Sequence, residues 1–529
     1  MEAKYTKIWR PWPGIDGGDD RLSSLPDQII SYILSFMETK YAVGTEALSR
    51  RWEGLWTRVS NLDLDNRLVY DDSSGDDLKI VYASDAKRRD SQFCHFVDKV
   101  LGEHKNLNSL TRFRFHFSVE HRQYSTVLRR TRFKRELVFG PAIEEIDVRV
   151  CGETALGIPQ CMRCIPENFY TLKNLKVARL SGVVLGAINR PVFLPSLKIL
   201  QLSYVKMKDF ESLGRIISGC PVLEIFHLES CHPSSKNESD RIEVSLPRLK
   251  NFKVSDYGNW DDPMCPIVIE APNLEDLYLE HFAELQFKGK IPLSRLHVAH
   301  VDVGQDCRTS YHDVIRLLSQ ISNARKLSLS GETLVHLSAA TDDDVRLPIF
   351  PNLTHLTIGI GLFGPTSWFL HSLLNSASKL QSLVIDMQRG HWGVPLRWEG
   401  LETACMPHCL LSSLEEIEVR ELVAYPDEKK MIAYLLKSGA VLRKVNMHVN
   451  SRFLELMGRK DLVALLKLPR RSSTCQVELF FPFEDDRDSC IGSDDESDTD
   501  DNVDDGDPDS PDDEIDSEDD ASDSEEDSL

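Results

Sequence analysis

Three things are missing from the sequence, and each absence removes a class. No run of about eighteen uncharged apolar residues occurs, so no membrane-spanning helix is predicted. The opening residues, Met1-Glu-Ala-Lys-Tyr-Thr-Lys-Ile-Trp-Arg10, carry no apolar core of the secretory kind. The 12 cysteines are therefore expected as reduced thiols rather than a disulfide framework. Nor is there a surplus of cations. Outside Glu484–Leu529 the chain holds 61 basic and 59 acidic side chains, which argues against direct nucleic-acid binding. Catalytic signatures are missing as well: no nucleophile elbow, paired-histidine zinc helix or Gly-rich phosphate loop is present. Gly359, Gly361 and Gly364 read as turn residues. The sequence predicts a protein that is not an enzyme and needs no cofactor or metal.

What is present divides unevenly along the 529 residues. The net charge of −22 sits almost wholly in Glu484–Leu529, which has 25 acidic residues and one basic residue, Arg487. So charged and so poor in apolar residues, that segment is expected to be a disordered acidic tail. Ser493, Ser497, Ser517, Ser522 and Ser524 lie among its carboxylates, as acidophilic phosphorylation would favour. The rest is near neutral and long enough for a sizeable core.

Most of that core is a repeat. The unit is an apolar residue, two variable ones, an apolar one, a variable one and an apolar one. Its clear copies include Leu197-Lys-Ile-Leu-Gln-Leu202, Leu223-Glu-Ile-Phe-His-Leu228, Leu274-Glu-Asp-Leu-Tyr-Leu279, Leu353-Thr-His-Leu-Thr-Ile358 and Leu380-Gln-Ser-Leu-Val-Ile385. Weaker copies start at Leu110, Ile143, Leu175, Leu249, Leu293, Ala324, Leu414 and Leu442. The intervals run from 19 to 34 residues with a mean of about 28, close to the leucine-rich-repeat period. The last two apolar positions are two apart, so both point to one side of a short strand. One unit cannot bury that side alone; stacked units form a parallel sheet over a continuous core.

The predicted fold class is therefore an α/β solenoid, an irregular horseshoe preceded by a short all-α unit. That unit opens at Ser24-Leu-Pro-Asp27, a helix-start signal, and continues through Ile29, Ile30, Ile33, Leu34 and Met37 at helical spacing. It holds more apolar surface than so few residues can cover. Residues 65–92 read as a loop, and Phe93, Phe96, Val97, Val100 and Leu101 as a helix.

Asp20-Arg-Leu-Ser-Ser-Leu-Pro-Asp-Gln-Ile-Ile-Ser-Tyr-Ile-Leu-Ser-Phe36 followed by Thr45-Glu-Ala-Leu-Ser-Arg-Arg-Trp-Glu-Gly-Leu-Trp56 resembles the F-box of plant F-box/FBD/leucine-rich-repeat proteins. Leu414-Glu-Glu-Ile-Glu-Val-Arg420, the run Ala433–Val445 and Leu468-Pro-Arg-Arg-Ser-Ser-Thr-Cys-Gln-Val477 resemble the FBD module that closes such chains. The resemblance implies a flexible start at 1–19, an F-box at 20–64, a linker and helix at 65–109, leucine-rich repeats at 110–400, an FBD-like end at 401–483 and the tail at 484–529. It implies the substrate-recognition subunit of an SCF-type cullin–RING ubiquitin ligase, acting in nucleus, cytoplasm or both. A Skp-type adaptor, and through it a cullin, would bind Leu25, Pro26, Ile29, Ile30, Leu34, Val43, Leu48 and Trp52. A protein substrate would meet the concave strand row: Arg112, Arg114, His116, Gln201, His227, Lys253, Asp276, Tyr278, Glu280, His297, His355, Asp386, Glu416, Glu418 and Arg420.

A different reading is a repeat scaffold outside any ligase, whose acidic tail binds basic proteins such as histones. Two short motifs carry less. Cys161-Met-Arg-Cys164 has clip spacing but no second ligand pair, and Cys405 and Cys409 stand alone in the same way. Arg129-Arg-Thr-Arg-Phe-Lys-Arg135 reads as a solvated basic loop or an import signal.

Overall fold

The structure, a computed structural model, describes residues 22, 24–66, 83–105, 107–119, 138–152, 165–186, 188, 190–233, 242–255, 266–281, 285–288, 293–304, 310–338, 346–360, 366–387, 405–450 and 459–481. The acidic tail, the basic run Arg129–Arg135 and the Cys161/Cys164 pair lie outside them.

Fifteen strands make one sheet in chain order. They are β1 (Asn61–Asp65), β2 (Arg112–Val119), β3 (Glu145–Gly152), β4 (Val177–Ser181), β5 (Ile199–Ser203), β6 (Ile225–Glu229), β7 (Asn251–Ser255) and β8 (Asp276–Glu280). Then follow β9 (Val298–Asp302), β10 (Lys326–Leu329), β11 (His355–Gly359), β12 (Ser382–Asp386), β13 (Glu416–Leu422), β14 (Lys444–Val449) and β15 (Gln476–Phe480). Each pairs in parallel with the next, so every step is a crossover and the chain climbs one strand at a time. This is the stacking that the repeat requires.

The turn markers explain how each unit starts. The amide of Leu197 donates to the Leu194 carbonyl, Leu249 to Leu246, Leu274 to Ala271 and Leu353 to Phe350, at 3.1–3.4 Å. Pro195, Pro247, Pro272 and Pro351 occupy the second position of these turns, where the fixed φ of proline fits. The apolar pairs, such as Leu200/Leu202 and Leu277/Leu279, then enter the core with essentially no exposure. Helices between strands complete it. In α4 (Phe210–Ser218) Asp209 caps the first turn, and Phe210, Leu213, Ile216 and Ile217 are buried in the same cluster as the strands.

The amino-terminal unit consists of α1 (Asp27–Leu34), α2 (Thr39–Gly44) and three 3₁₀ turns, Thr45–Ala47, Arg50–Trp52 and Leu55–Arg58. It is not all-α: Val59-Ser-Asn-Leu-Asp-Leu64 is itself a copy of the repeat, and its strand β1 starts the sheet. The last strand, β15, follows Thr474, a polar residue where the other copies carry an apolar one. These two ends raise the thirteen repeat starts to fifteen strands. Helix α3 (Ala83–Glu103) begins ten residues before the predicted Phe93, because its first turns are polar.

Candidate functional site

Helix α1 has two apolar stripes and only one core. Ile30 and Leu34 are 0% and 1% exposed and face inward. The hydroxyl of Ser31 follows them in and donates to the Leu55 carbonyl at 3.2 Å. Ile29, Tyr32 and Ile33, with Phe36 one turn on, recur at helical spacing and are exposed, Tyr32 at 63% and Phe36 at 72%. The Tyr32 and Phe36 rings meet edge to face, centroids 4.9 Å apart. Met37, Tyr41 and Leu48 are exposed beside them in sequence. Of sixteen large exposed apolar side chains among the described residues, eight fall between Leu22 and Leu48. Such concentration marks an interaction surface, whereas scattered apolar residues do not.

The surface stands on a rigid base. The Trp56 indole N–H and the Gly54 amide both donate to Glu46 Oε1, at 2.9 and 3.0 Å. Gly54 adopts φ +72°, which glycine takes without a side-chain penalty. Arg51 donates to the Leu25 carbonyl at 2.6 Å and lies 3.2 Å from Asp27. The Asp63 amide of β1 donates to Thr39 Oγ1 at 2.8 Å, and the Asn61 side-chain amide to the Ser35 carbonyl at 3.0 Å, tying the unit to the sheet. Just past α3, His104 Nε2 lies 3.0 Å from the Val59 carbonyl, and burial pushes its pKa below the ordinary value.

The eight predicted adaptor contacts therefore divide. Pro26, Ile29 and Leu48 are exposed; Leu25 and Val43 are partly buried against the core. Ile30, Leu34 and Trp52 are instead buried in the core of their own unit, at 0%, 1% and 8% exposure, which leaves the contact expected of them little or no surface. Tyr32, Phe36, Met37 and Tyr41 take their place in the exposed set. The signal was available, since residues 29, 32, 33 and 36 form one helical stripe.

The second surface is the face of the sheet opposite the core. Along the strands the first, third and, where the strand is long enough, fifth residues lie on it, and the register aligns them into rows, the fifth lacking a residue on the four-residue β10. Arg112, Arg114, Gln201, His227, Lys253, Asp276, Tyr278, Glu280, His355, Asp386, Glu416, Glu418 and Arg420 all occupy these rows. His116 does too, but it is buried within an ionic cluster. His297 is a misplacement. The repeat there begins at Leu296, not Leu293, and packs Ala299 and Val301 inward. His297 instead belongs to the leading edge, its amide donating to the Glu275 carbonyl at 2.7 Å. His300 holds the open-face position, its ring centroid 6.5 Å from that of Tyr278.

Charge is organised differently in the two halves of this face. In β1–β4 the groups neutralise one another. Arg114 lies 2.9 Å from Asp63 and 3.6 Å from Asp65, and His116 lies 3.5 Å from Asp65 and 3.1 Å from Asp147. Arg149 reaches Asp147 at 3.0 Å, and Arg112 and Arg179 both reach Glu145. Burial raises the Asp147 pKa, but hydrogen bonds from His116 and Arg149 outweigh it and hold the carboxyl below its usual range. Further along, Gln201, His227, Asn251 and Asp276 form a chain of side-chain hydrogen bonds at 2.8–3.3 Å. Cys409, one of the clip candidates, is buried with its thiol pushed up to about 12, while Cys405 is exposed.

Three family models match the chain: the F-box domain over residues 22–64, the leucine-rich repeats of the FBD-associated F-box protein At5g56370 over 150–302, and FBD over 402–447. Among similar proteins of Arabidopsis thaliana, the FBD-associated F-box protein At5g27750 is 27% identical over 486 residues, covering 87% of this chain and 98% of its own. The F-box/FBD/LRR-repeat protein At2g26030 is 27% identical over 479 residues, covering 87% and 98%. The FBD-associated F-box protein At4g10400 is 26% identical over 467 residues, covering 87% and 99%. With its amino-terminal unit, part of its repeat sheet and its closing segment matched, the chain carries F-box, leucine-rich-repeat and FBD domains and is similar over most of its length to plant F-box/FBD/leucine-rich-repeat proteins.

Proposed function

We propose that this chain is the substrate-recognition subunit of an SCF-type cullin–RING ubiquitin ligase. Its F-box, residues 20–64, holds a Skp-type adaptor, and the open face of the repeats in 110–483 holds a protein substrate. The observation that carries the reading is the exposed stripe Ile29, Tyr32, Ile33 and Phe36 on a unit whose own core is already filled by Ile30, Leu34 and Trp56. A well-packed small unit has no internal use for a second apolar stripe; a partner protein does. The chain's contribution is then proximity and orientation, with the ubiquitin-transfer chemistry supplied by other subunits. Reduced thiols fit action in the nucleus, the cytoplasm or both.

The test is co-purification of the full chain with a Skp-type adaptor from Arabidopsis thaliana. Wild type is expected to retain the adaptor, and Tyr32→Ser/Phe36→Ser to lose it while keeping its melting midpoint. Equal adaptor recovery by the two proteins, or none with the wild type, would overturn the reading.

A further inference from the structure

Beyond β7 the open face changes character. From β8 to β13 it carries six carboxylates, Asp276, Glu280, Asp302, Asp386, Glu416 and Glu418, against two cations, Lys326 and Arg420. Unlike those of β1–β4, these charges are not all consumed locally. Lys253 reaches across from β7 to Glu280 at 2.9 Å. Arg420, the in-register neighbour of Asp386, is turned instead to Glu418 at 2.7 Å. The carboxylate of Asp386 forms no hydrogen bond or ion pair among the described residues, and Gly359 on the other side brings no side chain to it. Asp302 has one oxygen 3.6 Å from His281 and the other, Oδ1, buried without a hydrogen-bond partner among the described residues. In the same row Ser255 is wholly buried, and its hydroxyl too has no hydrogen-bond partner among the described residues. Beside these groups sit the Tyr278 and His300 rings.

We infer that β8–β13 select the substrate, and that the group selected is an extended cationic segment of a protein, laid across the strands with arginine or lysine side chains on Asp302 and Asp386. The inference rests on the reading that the open face holds a substrate, and it names the chemistry of that substrate. A carboxylate with no close cation among the described residues, as at Asp386, or with one oxygen buried and unbonded, as at Asp302, is a place where an arriving cation gains most, because little must be displaced. Tyr278 and His300 supply flat faces for the aliphatic stems and guanidinium planes of such a segment. Burial already raises the Asp386 carboxyl above its usual range, with Glu418 adding to the effect and Arg420 opposing it, so a bound cation would relieve a strained charge.

The register fixes the spacing. Asp302 on β9 and Asp386 on β12 are three strand steps apart, roughly 14 Å at about 4.8 Å per step. An extended chain advances about 3.3 Å per residue, so side chains four positions apart, which point to the same side, span the gap. The favoured ligand carries two basic residues four apart, without a regular helix between them.

The probe is a fluorescein-labelled nine-residue peptide of serine and threonine with two arginines four positions apart, titrated against the full chain by anisotropy. Wild type is expected to bind it at least about tenfold more tightly than D302N/D386N. Thr357→Lys, which adds a cation to the same face on β11 without touching either carboxylate, is expected to weaken binding as well. A control peptide with glutamates for arginines should not bind. The segment 484–529, with its 25 acidic residues, is present in every protein compared. Equal affinities for wild type, D302N/D386N and Thr357→Lys would assign binding to that segment and overturn the inference. Adaptor recovery serves as the separate readout. D302N/D386N should retain it, and failure of the wild type to bind an adaptor would end the ligase reading while leaving the peptide result intact.

Discussion

The imidazole Nε2 of His116 on β2 lies 3.1 Å from Oδ1 of Asp147 on β3, and both side chains are 7% exposed. Arg149 closes on the same carboxylate from outside. Removing one member of a buried, hydrogen-bonded charge cluster leaves the others desolvated and unpaired, so Asp147→Ala is expected to destabilise the chain by on the order of 3 kcal/mol. The stabilisation has a definite pH window. Because the folded pKa of Asp147 lies below the ordinary 3.8, its contribution is complete above that value and lost as pH falls through the folded one. Melting midpoints of wild type and Asp147→Ala should differ by several degrees at neutral pH and converge in strong acid. Parallel curves at all pH values would refute the assignment.

Ile29 and Ile30 are adjacent in sequence and opposite in role. Ile30→Ala removes buried methyl groups and is expected to cost about 3 kcal/mol. Ile29→Ala removes an exposed side chain and should change stability by no more than about 0.5 kcal/mol. Adaptor recovery should fall for Ile29→Ala in spite of its wild-type melting midpoint. A stability loss for Ile29→Ala equal to that of Ile30→Ala would mean that the outer stripe packs within the chain.

The repeat was readable because its physics is local: two apolar residues two apart, a turn proline before them, and the same spacing again about 28 residues on. Twelve of the thirteen starts match their strands for that reason. The thirteenth slipped because Leu293, Leu296 and Val298 satisfy the spacing as well as Leu296, Ala299 and Val301 do. Only the inter-strand register, in which Val298 faces Asp276 and Ala299 faces Leu277, separates them. The exposed apolar stripe of α1 was half legible for a related reason. An apolar helix announces that it is buried on some side; which of Ile29 and Ile30 faces the core depends on where Leu55 and Trp56 return in space. That Asp386 has no ion pair among the described residues was not legible at all, since it depends on Arg420 choosing Glu418.

His104 joins the end of α3 to the carbonyl of Val59 at the close of the amino-terminal unit. Burial holds its pKa below the ordinary 6.5, and its hydrogen bond to that carbonyl opposes the shift in part. The neutral ring is therefore the folded form. Its stabilising effect is complete above pH 6.5 and declines as pH falls toward the folded value, because the unfolded chain then binds a proton that the folded chain refuses. His104→Gln, which keeps a donor for the carbonyl but does not titrate, should flatten the fall in melting midpoint between pH 6.5 and 5. An unchanged slope would place the acid sensitivity elsewhere.

His297 and His300 separate the leading edge of the sheet from its open face. His297→Ala should leave affinity for the two-arginine peptide at the wild-type value, while His300→Ala should weaken it several-fold by removing the ring beside Tyr278. Burial lowers the His300 pKa, with Glu280 and Asp302 acting the other way and Lys253 adding to the fall. The ring is thus neutral at pH 7 and gains its charge only in acid. Once charged, it places a cation of the protein's own beside Asp302 and competes with the peptide's arginine. Affinity should accordingly drop as pH is lowered below 6.5, and the drop should be smaller in His300→Gln. The same decline in both proteins would shift the cause to carboxylates such as Asp386, whose raised pKa also favours proton uptake as the solution becomes acidic.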